Sequence, residues 1–172
     1  MGSIVGLLIQ IITFPGIIFD QFANKIVCNL LDIEVHEVKY LQFESPAGYV
    51  IHDIPESYLK VFLISIGPFF ISTLVAILMF VLGYSLDSND GVLRLVFNWL
   101  GISIAAHAFP TSKNGDLLWK QSLMEVKNKN YIALIGFPLV LIIYLARLLH
   151  YFWLDVIYGL VLLLLIVEPW FK

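Results

Sequence analysis

Long apolar stretches separated by short polar segments dominate the chain and predict its helices. Residues 59–84 carry one charged side chain, Lys60, close to their start. About 20 apolar residues cross the hydrocarbon core of a bilayer, so this stretch predicts a membrane-spanning helix with length to spare. Gly67-Pro68 lies within it and should bend the helix, because proline lacks an amide donor and clashes with the preceding turn.

The second half of the chain repeats this pattern. Residues 93–109 form another apolar stretch, and residues 131–172 are almost entirely apolar. The latter are long enough for two spans, 131–149 and 151–169, separated by the polar residues around His150. No glycine or proline marks a turn there, so one long bent helix is the alternative.

The first apolar region, residues 3–31, is interrupted by Pro15-Gly16. Proline is tolerated in the first turn of a helix, so a new helix is expected to start there. Asp20, Gln21 and Asn24 lie in this second helix. Polar side chains at membrane depth are costly, and they mark an interior or functional face.

Two polar segments have different expected structures. Residues 33–55 mix β-branched, aromatic and charged residues around a Ser-Pro-Ala-Gly turn that ends at Gly48, which predicts a β-hairpin outside the hydrocarbon layer. Residues 117–130 are amphipathic and carry lysines, which predicts a helix at the membrane interface.

The composition narrows the class of protein. Of 172 residues, 60% are hydrophobic and 13% are charged, whereas soluble domains carry about 25% charged residues. A bilayer is the solvent that suits so much apolar surface. The chain is therefore predicted to be a single-domain, all-α integral membrane protein with four to five transmembrane helices and a small membrane-associated β-hairpin. A net charge of −3 argues against a nucleic-acid partner, which requires a basic surface.

The lysines give the expected orientation in the membrane. One polar region contains Lys113, Lys120, Lys127 and Lys129, whereas residues 85–91 contain no basic residue. Basic loops remain on the cytoplasmic side, so the loop 113–129 is predicted to be cytoplasmic in a multi-pass protein. The hairpin is then expected on the same side.

Three short motifs resemble those of a known family. Residues 14–24, Phe-Pro-Gly-Ile-Ile-Phe-Asp-Gln-Phe-Ala-Asn, resemble the Phe-Pro-Gly-x-x-x-His-Glu-x-x-His opening of a bacterial and archaeal branch of the site-2-protease-like intramembrane metallopeptidases. Residues 67–72 are similar to its Gly-Pro-x-x-x-Asn element. Residues 101–110 are similar to its Gly-Ile-Ser-x-x-x-His-x-Phe-Pro segment, and Asp116 follows where such proteins carry an aspartate. The hairpin also suits this family, which places a membrane-associated β-sheet between the first two spans.

The positions that carry the family's chemistry are different here. Its members hold zinc with two histidines one helical turn apart, and the glutamate between them activates a water molecule. In this chain the same positions are Asp20, Gln21 and Asn24. A carboxylate and an amide oxygen are poorer zinc ligands than two imidazoles, and Gln21 has no basic lone pair to accept a proton. Neither zinc binding nor peptide hydrolysis by the usual mechanism is expected.

The role of the polar residues stays open at this point. Asp20, Gln21 and Asn24 either join helices, as polar groups in membranes ordinarily do, or form a remodelled site for a cation or a partner backbone. Histidine at the end of a span, as at His107, is commonly packed, and an aspartate in a turn, as at Asp116, commonly caps the next helix. The resemblance nevertheless aligns Asp116 with the family's third metal ligand. The candidate metal site of mixed oxygen and nitrogen donors consists of Asp20, Asn24, His107 and Asp116.

The resemblance implies a protein that binds a transmembrane or membrane-proximal partner in the groove where an active relative binds its substrate. The expected lining of that groove is Gly67, Pro68 and Ser72. Two other functions are open: an active metallopeptidase that uses Asp20, His107 and Asp116, and a structural subunit of a membrane complex. Chelators should affect only the enzyme, whereas a stable co-purifying partner favours the other two functions.

Overall fold

The structure, a computed structural model, describes residues 4–42, 44, 46–86, 90–110, 112–149 and 154–171. The chain is mostly helical with one small antiparallel sheet, which confirms this part of the predicted fold class. The elements are α1 (Ile4–Ile12), α2 (Phe14–Leu30), β1 (Val35–Lys39), β2 (Tyr49–His52), α3 (Tyr58–Tyr84), α4 (Gly91–Ala106), α5 (Ser112–Lys127), α6 (Tyr131–Leu149) and α7 (Leu154–Val161). A π-helical turn (Leu162–Val167) and a 3-10 turn (Glu168–Phe171) continue α7. The predicted break at His150 lies outside the described residues.

One helix in the described part of the chain is both long enough and apolar enough to cross a bilayer. This helix is α3, which has 27 residues and is uninterrupted at Pro68. The helix α4 and the segment Val156–Phe171 are apolar but shorter.

The first apolar region folds as two helices. Thr13 separates α1 from α2, and Pro15 lies in the first turn of α2, where an amide would have no helical partner anyway. The hydroxyl of Thr13 donates to the carbonyl oxygen of Ile9 (2.8 Å) at the end of α1. At the opposite end of α2, Lys60 Nζ donates to the carbonyl oxygen of Leu31 (2.8 Å) and so joins the C-terminus of α2 to the start of α3.

The two strands form an antiparallel hairpin. Pairing runs from Lys39 opposite Tyr49 to Val35 opposite His52, and a bulge follows Val35. Val35 and Val50 also pack against a small core that ties the hairpin to α2 and α3. That core consists of Val27, Cys28, Ile33 and Ile64.

His36, in the bulge, contacts the carboxylate that follows β2. Its Nε2 lies 2.8 Å from Oδ1 of Asp53. This hydrogen bond raises the pKa of the exposed His36 imidazole, because the protonated ring interacts more favourably with the carboxylate. Because the folded-state pKa is raised, the contact stabilises the hairpin at low pH, and that stabilisation is lost as the pH rises through this pKa.

Helices α2 and α4 to α7 pack around α3, and along its first half α3 contacts α5 and α6. The hydroxyl groups of Tyr58, the first residue of α3, and Ser122 in α5 are 2.9 Å apart. Ile66 shares a core with residues of both helices. They are Leu118, Ala133 and Val140.

Along its second half, α3 contacts α4, α7 and the turns that follow α7. The hydroxyl groups of Thr73 and Tyr158 are 2.7 Å apart, and the rings of Tyr84 and Phe171 stack with centroids 5.5 Å apart. The core at this end consists of Ala76, Phe80, Ile104, Ala105, Leu162, Leu163 and Val167. Two successive helix pairs, α4–α5 and α6–α7, therefore each cover α3 along its length. In each pair one helix contacts the first half of α3 and the other contacts the second half.

The helix α5 begins earlier than the sequence pattern indicates. It starts at Ser112, so the Lys-Asn-Gly-Asp segment that ends at Asp116 is helical, and Asp116 does not cap α5. Gly115, Leu118 and Ser122 are buried, and their spacing places them on one face of the helix. The packing of this face outweighs the local preference of Asn-Gly for a turn.

Apolar side chains are abundant on the surface as well as in the core, and several polar side chains are buried. Among the described residues, the buried polar ones are Thr13, Asp20, Gln21, Asn24, Ser65, Ser72, Ser103 and Ser122. The outer side of α3 is apolar and exposes Leu59, Leu63, Phe70, Leu74, Leu78 and Leu82. Monomeric soluble proteins rarely expose contiguous apolar surface on this scale. The outer side of α3 is thus apolar, whereas polar side chains of α2, α3, α4 and α5 are buried.

Candidate functional site

The three polar residues of α2 form one hydrogen-bonded cluster, which we call the α2 cluster: Asp20, Gln21 and Asn24. All three are buried, with exposed fractions of 9%, 5% and 8%. The amide nitrogen of Gln21 donates to Oδ2 of Asp20 (2.8 Å), and that of Asn24 donates to Oδ1 (2.9 Å). Each carboxylate oxygen of Asp20 therefore accepts an amide hydrogen.

The hydrogen bonds of the α2 cluster stay within one helix. Asn24 also donates to the main-chain oxygen of Asp20 (2.8 Å), one helical turn earlier. Among the described residues, no hydrogen bond of these three side chains reaches another helix. The sequence left two roles open for these residues: joining helices, or forming a remodelled binding site. If they join helices, they do so without hydrogen bonds from these side chains.

The hairpin turn lies directly on the α2 cluster. A Cβ atom at Gly48 would be 2.9 Å from Cγ of Gln21 and 3.0 Å from the carbonyl oxygens of Lys39 and Tyr40. A side chain at this position would have to displace Gln21 or the backbone of residues 39–40, so Gly48 favours the close approach of the turn to α2. The hairpin thereby covers the position that a general base holds in the family that the motif resembles.

His107 lies against Gly16, which is one helical turn before Asp20 on α2. It is the residue after α4, and its Nδ1 lies 3.0 Å from the carbonyl oxygen of Ser103. A Cβ at Gly16 would be 2.8 Å from the same Nδ1. Residues 16 and 20 share a face of α2 and are separated by about 6 Å along its axis.

Ser103 joins α4 to the break between α1 and α2. Its hydroxyl accepts a hydrogen bond from the amide of Gly16 (2.8 Å) and donates to the carbonyl oxygen of Thr13 (3.0 Å). Trp99 adds a second link, because its indole nitrogen donates to the carbonyl oxygen of Ile12 (2.9 Å). No local pattern in the sequence predicts a role for these two residues, although Ser103 belongs to the Gly-Ile-Ser motif.

Asp116 lies on the exposed side of α5, opposite the buried face that contains Leu118. Among the described side chains, no three or more of histidine, cysteine, aspartate and glutamate come together as a group that could hold a metal ion. The structure thus brings Asp20, Gln21 and Asn24 together and places His107 nearby. It does not assemble Asp20, His107 and Asp116 into a three-ligand group.

The residues predicted to line a partner groove are packed between helices. A Cβ at Gly67 would be 2.9 Å from Cγ2 of Val27, so glycine permits the close approach of α2 and α3. Pro68 and Ser72 are buried. The Oγ of Ser72 has no hydrogen-bond partner in the described part of the chain.

The chemistry available to the α2 cluster follows from these contacts. Each carboxylate oxygen of Asp20 already accepts one amide hydrogen, so a cation bound there could use only the remaining lone pairs. Gln21 uses its amide as a donor and offers no base. The arrangement is a buried polar group in which two amides donate to one carboxylate.

No family model matches the chain, and neither does any curated protein or solved structure. The resemblance to site-2-protease-like peptidases therefore rests on the motif residues themselves.

Proposed function

We propose that this chain is a multi-pass membrane protein of site-2-protease-like architecture that holds a membrane partner and does not hydrolyse peptides. The observation that carries this proposal is the state of Asp20. Both of its carboxylate oxygens accept amide hydrogens from Gln21 and Asn24, so the positions equivalent to two zinc ligands and a general base are engaged with each other.

Two features support the placement of the protein in a membrane. The outer side of α3 is apolar, and the pairs α4–α5 and α6–α7 each extend along both halves of α3. We infer four crossings: α1–α2, α3, α4–α5 and α6–α7. The crossings other than α3 each consist of two helices. Breaks of this kind are tolerated at membrane depth where neighbouring groups satisfy the freed main-chain atoms, and the contacts of Ser103 at the first break are of that kind. In this arrangement the C-terminal, lysine-bearing end of α5 lies at the predicted cytoplasmic interface. The start of α5 belongs to the crossing.

The proposed partner is a transmembrane segment that lies along the outer side of α3, next to the motif at residues 67–72. Gly67, Pro68 and Ser72 would act there by holding α2 and α3 together. The neighbouring exposed side chains, Phe70 (50%) and Leu74 (67%), would contact the partner. Apolar packing of this kind is a main source of helix association in bilayers.

A photoreactive amino acid in place of Phe70 tests the partner surface. We expect one discrete covalent protein product in native membranes, because a bound segment stays next to this side chain. The control position is Leu95 of α4, which is 70% exposed and equally apolar; it should react with lipid only. Equal products from both positions, or none from Phe70, would contradict the proposal.

Restoration of the family's residues tests the resemblance. We expect the D20H/Q21E/N24H variant to bind about one zinc ion per chain, because both imidazoles would share a helix face at the spacing of a zinc site. The unchanged protein should hold no zinc, as measured by metal analysis after incubation with zinc and desalting. If the triple variant gains no zinc, this result counts against the resemblance. Zinc in the unchanged chain would instead favour the active metallopeptidase.

A further inference from the structure

The end of α5 and the turn that follows it expose a mixed basic and apolar surface. Lys120, Leu123, Met124 and Lys127 are exposed, and their spacing of three, four and seven residues places them on one face. Lys129 follows in the turn and Tyr131, which is 81% exposed, begins α6. We call this surface the basic patch: Lys120, Leu123, Met124, Lys127, Lys129 and Tyr131.

The basic patch lies at the end of the helical assembly where three elements meet. The opposite face of α5 packs on the first residue of α3, since Ser122 Oγ is 2.9 Å from the Tyr58 hydroxyl. The C-terminus of α2 is held at the same place by Lys60, which donates to the carbonyl oxygen of Leu31. If these helices cross a bilayer as proposed above, the patch lies where they leave it.

Within α5 and the turn that follows it, the lysines of the patch outnumber the acids. Glu125 is half-buried and accepts a hydrogen bond from the amide of Asn130 (2.8 Å), so it is directed at the turn. Asp116 lies on α5 one turn before Lys120. The three lysines therefore exceed the two acids within residues 116–131, and this segment is net basic.

We propose that the basic patch binds the phosphate groups of anionic phospholipids at the membrane surface. Leu123 and Met124 lie between the lysines and would enter the apolar layer, while long lysine side chains reach outward to the phosphates. Tyr131 adds an aromatic side chain of the kind found at the level of lipid headgroups. An acidic protein partner would not explain two exposed apolar side chains between the lysines, so a lipid surface fits better.

The test uses the full chain purified in a neutral detergent. Short-chain phosphatidylglycerol should raise the thermal unfolding midpoint more than short-chain phosphatidylcholine does. In the K120Q/K127Q/K129Q variant the phosphatidylglycerol concentration that gives half of this rise should increase at least about tenfold, because each lysine near an anionic surface contributes a factor of about five. K127Q alone should show part of the loss. The matched control is K39Q, which removes an exposed lysine of β1 and should leave the response unchanged.

Three results would overturn the proposal. Equal responses to the two lipids would show that the charge is not recognised, and an equal response to inorganic phosphate would indicate a site for free phosphate. An acidic protein that co-purifies with the parent but not with the triple variant, with the lipid response unchanged, would identify a protein surface instead.

Thiol labelling distinguishes a failure of the proposed membrane placement from a failure of the basic-patch proposal. Ser85 and Asn128 are exposed and lie at opposite ends of the helical assembly. In sealed vesicles an impermeant maleimide should label S85C and N128C from opposite sides. The parent chain is the control, because its Cys28 is buried. Labelling of both from one side overturns the membrane placement, whereas opposite labelling with no lipid preference overturns the basic patch alone.

Discussion

Substitution of Gly16 by alanine should destabilise the protein more than any other single methyl addition we consider. A Cβ at Gly16 would overlap the carbonyl oxygen of Ser103 and come within 2.5 Å of its carbonyl carbon. Because these are main-chain atoms, no side-chain rotation relieves the overlap, and α2 and α4 must separate. Separation also breaks the two hydrogen bonds of the Ser103 hydroxyl and that of the Trp99 indole.

We expect a loss of about 3 kcal/mol or more, at the upper end of the overpacking range. For a chain of this length, that corresponds to a fall of roughly 6–12 °C in the unfolding midpoint. Thermal unfolding in detergent, with folded yield recorded alongside, measures the effect. S103A should lose less, about 1–3 kcal/mol, because it removes the hydroxyl but adds no atom.

The matched control for Gly16 is Gly91, where a Cβ would meet no atom within 4 Å. G91A should therefore be neutral or stabilise the protein by up to about 1 kcal/mol, since alanine is favoured over glycine in a helix. If G16A and G91A unfold at the same temperature, the close contact between α2 and α4 does not exist in the protein.

The example of Gly16 shows what the sequence could predict. The Phe-Pro-Gly motif predicts a helix break, because proline and glycine act locally. Its partner does not follow from any local pattern, because Ser103 lies 87 residues away along the chain. A periodic pattern identifies the buried face of a helix but not which other helix it meets, so the link between the two motifs required the structure.

The start of α5 was missed for a related reason. Lys-Asn-Gly-Asp is typical of a turn when only neighbouring residues are considered. The burial of Leu118 against α3 and α6 is a tertiary effect, and it extends the helix back to Ser112. The consequence reaches the candidate site, because Asp116 becomes a residue within a helix on its exposed side instead of a cap.

The α2 cluster was partly predictable. The spacing of Asp20 and Asn24 places them on one face of a helix, and the structure has them in direct contact. The sequence could not show that Gly48 of the hairpin covers Gln21, or that the hydrogen bonds stay within α2. Those features depend on how the hairpin packs on Val27 and Cys28.

Substitution of Asp20 by leucine tests whether the α2 cluster is structural. The change removes the acceptor of the Gln21 amide and leaves this buried donor without a partner. Asn24 keeps its hydrogen bond to the main-chain oxygen of residue 20. An unsatisfied buried donor costs about 1–3 kcal/mol, so D20L should lower the free energy of unfolding by that amount. The control N29L, at an exposed position of the same helix, should change it by less than about 0.5 kcal/mol.

The triple variant D20L/Q21L/N24L is expected to recover most of the loss seen in D20L. If the three side chains satisfy only one another, replacing all of them by apolar groups of similar size leaves no buried polar atom unpaired. The triple variant should then unfold close to the parent. If it is at least as unstable as D20L, the cluster serves some purpose beyond its own hydrogen bonds, and a cation or partner main chain bound there becomes the better explanation. The comparison between one and three substitutions thus separates a structural remnant of a catalytic motif from a working binding site.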